Sequence, residues 1–95
     1  MTDEQRNINR AFEEFFSLPD FSKEDSANIT RELGAYTEQK AKEIYKVALN
    51  VPVDWKTWTM DAGLDAMHSF LRREYSWLSD EARSKLNYAF IMAWK

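Results

Sequence analysis

Ninety-five residues with a net charge of −3, 44% apolar and 15% aromatic side chains allow one domain, 1–95, with a real hydrophobic core. The absence of cysteine excludes disulfides, thiolate zinc sites and thiol nucleophiles, and suits a reducing, cytoplasmic setting. The polar start Met1-Thr2-Asp3-Glu4 does not read as a signal peptide, and the longest apolar run, Ala89 to Trp94, is far short of a membrane span.

Only two glycines and two prolines punctuate the chain, so long stretches are free for helix. Ile8, Ala11, Phe12, Phe15 and Phe16 share one helical face, predicting a first helix over about 3–17 that stops at Leu18-Pro19-Asp20. Ser22 is placed to cap the next, with Glu24 and Asp25 in its first turn. The apolar stripe of Ile29, Leu33 and Tyr36 is rotated from that of Ala41, Ile44 and Ala48, which predicts a bend at Gly34 or two helices of about 22–34 and 37–49.

Val51 to Trp58, with Pro52 and two tryptophans, reads as a connector. Met60, Leu64, Met67, Leu71 and Tyr75 then predict a helix over about 60–75. Ser79 caps a last one of about 79–94, with Ala82, Leu86, Ala89, Phe90, Ala93 and Trp94 on one face. No segment alternates like a strand, so the expected fold is all-α, a single compact bundle of four to five short helices. Phe12, Phe15, Phe16, Leu33, Phe70, Leu71, Leu86 and Phe90 are the expected core.

Asp61, Asp65, His68 and Arg72 fall within about 60° of arc on one helix face, making Asp61, Asp65 and His68 the one candidate metal set. One histidine in the whole chain is thin for such a centre, and ordinary i, i+4 pairing explains the same pattern. No cofactor is expected. Ser69 directly follows His68, and neighbours one apart on a helix point in different directions, so they make no nucleophile–base pair. Gly34 and Gly63 are isolated and form no phosphate loop. These features predict that the chain is not an enzyme and takes no small-molecule substrate.

Acids outnumber bases seven to three over residues 1–25, which argues against nucleic acid, although Arg72, Arg73, Arg83 and Lys85 could form a small basic patch in a helix-turn-helix outline. Fourteen aromatic residues are more than a core of this size readily hides. Trp55 and Trp58, flanking Lys56 in the connector, have the character either of partner anchors or of indoles tucked over the end of the core, and the acidic first helix, with Glu13 and Glu14, offers a second contact surface. Tyr75, Trp77, Tyr88 and Trp94 form a second aromatic group, expected to pack the last two helices together.

The expected function is therefore a non-catalytic protein-binding module. In class alone, a short, acidic, cysteine-free helical chain resembles bacterial inhibitor, immunity and antitoxin proteins, which neutralise a partner by covering it; that likeness carries no site residues. A self-associating, homodimeric structural protein and a small DNA-binding regulator are the competing expectations.

Overall fold

The computed structural model describes residues 1–17, 21–50 and 59–93. Five α-helices carry the described residues: α1 (Asp3–Arg10), α2 (Lys23–Leu33), α3 (Ala35–Leu49), α4 (Met60–Glu74) and α5 (Asp80–Ala93). Between α1 and α2 the backbone widens into a π-type turn over Ala11–Phe15. No strand occurs among the described residues, and the all-α bundle expected from the apolar periodicity is the observed fold. None of its helices is long and apolar enough to cross a membrane.

Hydroxyl caps start four of the five helices, each satisfying an amide that has no partner inside its own helix. Thr2 and Ser22 close reciprocal capping boxes with Gln5 and Asp25. Thr59 accepts from the Ala62 amide, and Ser79 accepts from the Ala82 amide at 3.1 Å. Gly34 serves both neighbours: its amide closes α2 onto the carbonyls of Ile29 and Thr30, and its carbonyl accepts from Glu38 in α3. This junction resolves the turning apolar face into two helices rather than one bent rod.

The core is formed where α1 and the wide turn lie across α3 and α5, with α2 and α4 completing the bundle. Ile8, Phe12, Phe16, Ile29, Ile44, Met67, Leu71, Leu86 and Phe90 are all buried there. Each fully buried side chain of this size contributes about 1.5–3 kcal/mol of transfer free energy. Phe15, Leu33 and Phe70, expected inside, are instead only partly buried at its edge.

The first helix is shorter than its apolar periodicity suggests. Phe16 is extended (φ −75°, ψ 112°), and the Ser17 amide donates to the Asp25 carboxylate at 2.9 Å instead of continuing the helix. Capping by Asp25, eight residues further on, ends the segment early.

Gly34 sits at φ 100°, ψ 158°, a region closed to residues with a Cβ, yet a Cβ there would meet no neighbour. Gly34→Ala should therefore destabilise the fold through backbone strain alone, by about 1–3 kcal/mol, read from chemical denaturation.

Candidate functional site: an acidic-rimmed aromatic groove

Three polar side chains tie elements together, two of them across long stretches of sequence. Asn9 in α1 is buried; its Nδ2 donates to the Trp77 carbonyl at 3.0 Å, and its Oδ1 accepts from the Ser79 amide at 2.8 Å. Lys85 in α5 sends its ammonium to the carbonyls of Phe12 and Glu13, at 2.9 and 2.7 Å. A cation there meets the negative end of the first helix. Asp25, also buried, receives the amides of Ser17 and Ser22.

With Trp77 held by Asn9, a groove of about 390 Å³ opens between α1, α3 and the turn after α4. Ile8 and Ile44, both buried, and the half-buried Tyr75 and Trp77 make its apolar lining. The rings of Tyr75 and Trp77 meet edge to face, centroids 6.0 Å apart and planes at 89°. Neither the Tyr75 hydroxyl nor the Trp77 indole N–H has a hydrogen-bond partner among the described residues.

Glu4, Glu43 and Glu74 stand on the rim with one lysine, Lys40. Their ion pairs are open to solvent: Lys40 reaches Glu43 at 3.7 Å and Arg73 reaches Glu74 at 3.2 Å. Exposed pairs of this kind contribute only about 0–1 kcal/mol and exchange readily. Glu4 accepts from the Tyr36 hydroxyl at 2.9 Å, a hydrogen bond that raises the Tyr36 phenol above its ordinary value. Burial likewise pushes the Tyr75 phenol up, and the carboxylates of Glu43 and Glu74 add to the effect against a smaller opposing pull from Lys40.

Trp55, Lys56 and Trp58 lie outside the described residues. Glu13 and Glu14 do not line the groove. Glu14 is exposed and held by the Arg10 guanidinium at 2.7 Å, which lowers its carboxyl and raises Arg10; Glu13 is partly buried and contributes its carbonyl to Lys85.

The candidate metal stripe does not assemble. His68 faces α5, where the Asn87 carboxamide lies 2.6 Å from its Nε2, so that ring nitrogen is engaged there. Asp61 and Asp65 are exposed, and no cluster of three potential ligands occurs among the described residues. The anticipated pairing of His68 and Arg72 to these acids is absent too.

Two further expectations are corrected. The basic patch is divided, because Lys85 is committed to the first helix while Arg73 lies over Phe70 and Arg83 binds Asp80. Tyr88 is exposed rather than packed between the last helices, and Tyr75 and Trp77 turn toward α1 and α3. Trp94 lies outside the described residues.

A signal for these tertiary contacts was present in the sequence. Asn9 shares a face with Phe12 and Phe16, Asp25 with Ile29 and Leu33, and Lys85 with Ala82 and Ala89. Polar residues on an apolar stripe mark hydrogen bonds made at a distance.

Compared with known proteins, the chain matches no family, no curated protein and no solved structure.

Two outcomes follow from this geometry. Asn9→Ala removes a donor and an acceptor from a buried junction and should cost about 1–3 kcal/mol in denaturation experiments. For Tyr75, the folded-state value lies above the unfolded 10.0, so the neutral phenol stabilises the fold below pH 10 and that contribution disappears as pH rises through the folded value. Tyr75→Phe should reduce the alkaline loss of stability, measured as denaturation midpoint against pH.

Proposed function

We propose that the chain is a non-catalytic module that binds another protein through the groove between α1, α3 and the α4–α5 turn. The observation that carries this reading is the half-buried Tyr75–Trp77 pair, with two hydrogen-bond donors unmatched by the described residues, beside a rim of carboxylates. Tyrosine and tryptophan in a partly desolvated pocket with a polar rim have the composition of an interface anchor. The groove lining contains no nucleophile–base pair: the Thr2 hydroxyl is engaged in its cap and the single histidine lies against α5. An inhibitor or immunity role, in which the module acts by covering its partner, is the form this reading takes.

A second reading, self-association, is favoured by Tyr88 and Met92, one turn apart on α5 with 47% and 40% of their surfaces exposed. A symmetric dimer would cover such a strip.

Affinity capture of the tagged chain from a lysate of its source tests both. The expected result is a stoichiometric partner that is lost in the Tyr75→Leu, Trp77→Leu variant while its helical circular dichroism is retained. Partner capture unchanged in that variant but lost in Trp55→Ala, Trp58→Ala would move the interface to the connector. Recovery of the chain alone, with a dimeric mass by light scattering that reverts in Tyr88→Lys, would establish self-association instead.

A further inference from the structure

We infer that the occupant of the groove is a basic segment of the partner, inserting one arginine or lysine side chain between Tyr75 and the rim carboxylates. This rests on the protein-binding reading and names the chemistry of the ligand.

Charge complementarity is the first argument. Glu43 and Glu74 flank the aromatic pair, and Lys40, the one cation lining the groove among the described residues, already spans the adjacent Tyr36 ring and Glu43. An incoming guanidinium or ammonium would replace weak, solvent-exposed pairs with carboxylates beside an apolar wall. The rings add to this, because a cation over a tyrosine or tryptophan face within about 6 Å is attracted by the ring quadrupole. The same chain already uses that contact twice, Lys40 over Tyr36 at 5.6 Å and Arg73 over Phe70 at 5.9 Å.

The second argument is the mixture of groups. A bare cation would satisfy the acids but leave the Tyr75 hydroxyl and Trp77 indole N–H unmatched; a peptide brings carbonyl oxygens that accept from both. An apolar stem suits the lining formed with Ile8, and about 390 Å³ accommodates one long side chain and its flanking backbone.

The test titrates the full chain with a capped Gly-Arg-Gly peptide and with its Gly-Gln-Gly counterpart, read by NMR at the Trp77 indole N–H, assigned with Trp77→Phe. The expected result is a Trp77 shift with the arginine peptide, weakened about tenfold in the glutamine peptide and about tenfold in Glu43→Gln, Glu74→Gln, and diminishing as salt is raised. An unshifted indole, shifts confined to other surfaces, or equal response to both peptides overturns the proposal. So does an equal response to tetramethylammonium, which would make the groove a site for a free cation. If the peptide fails while a captured protein is still lost in Tyr75→Leu, Trp77→Leu, the binding module stands and its basic ligand does not; if capture is also indifferent to that variant, both fall.

Discussion

The buried carboxamide of Asn9 is the contact on which the arrangement of the ends of the bundle depends. It donates to the Trp77 carbonyl and accepts from the Ser79 amide, so a single side chain in α1 satisfies both a carbonyl before α5 and the amide of that helix's cap residue. Buried backbone groups without partners are costly, which makes the position of α1 against this turn specific rather than merely compact. Lys85 and Asp25 extend the principle: one closes the carbonyl end of the first helix, the other ties the chain after the wide turn to the start of α2. Apolar burial supplies the driving force for assembly, and these polar contacts select which assembly forms.

The groove is a consequence of that selection. Fixing the backbone at Trp77 while Ile8 and Ile44 pack beneath it leaves Tyr75 and Trp77 at the junction of α1 and α3, neither inside the core nor free in solvent. The rim charges arrive from separate helices, Glu4 from α1, Glu43 from α3 and Glu74 from the last turn of α4. Glu43 and Glu74 both act on the Tyr75 phenol, although its burial is the larger cause of its raised value, while Glu4 acts on Tyr36. The groove is thus assembled on elements whose relative placement is tied by hydrogen bonds, Asn9 to the Trp77 turn and Tyr36 to Glu4.

The same placement commits other polar side chains to partners within the fold. His68 spends a ring nitrogen on Asn87, Lys85 leaves the basic patch for the first helix, and Glu14 is paired with Arg10. The described surface includes an aromatic groove with acids around it and, on α5, a short apolar strip. Under the proposed protein-binding reading the two would be covered through different chemistry: a charged, hydrogen-bonding insertion in the first and apolar burial in the second.

By itself the sequence determined the helices: apolar spacing near 3.6, sparse glycine and proline, and the caps Ser22 and Ser79 all act within a few residues, where local geometry is set. It also identified Phe12, Phe16, Leu71, Leu86 and Phe90 as core residues, since a side chain on the apolar stripe is buried against whichever partner is available. Which stripe met which was decided by tertiary structure. Asn9 reaches a turn 68 residues away and Lys85 reaches back 73, and no local pattern states such separations. The groove escaped the sequence for the same reason: Ile8 in α1, Glu43 in α3 and Tyr75 after α4 become a site only when packing brings them together.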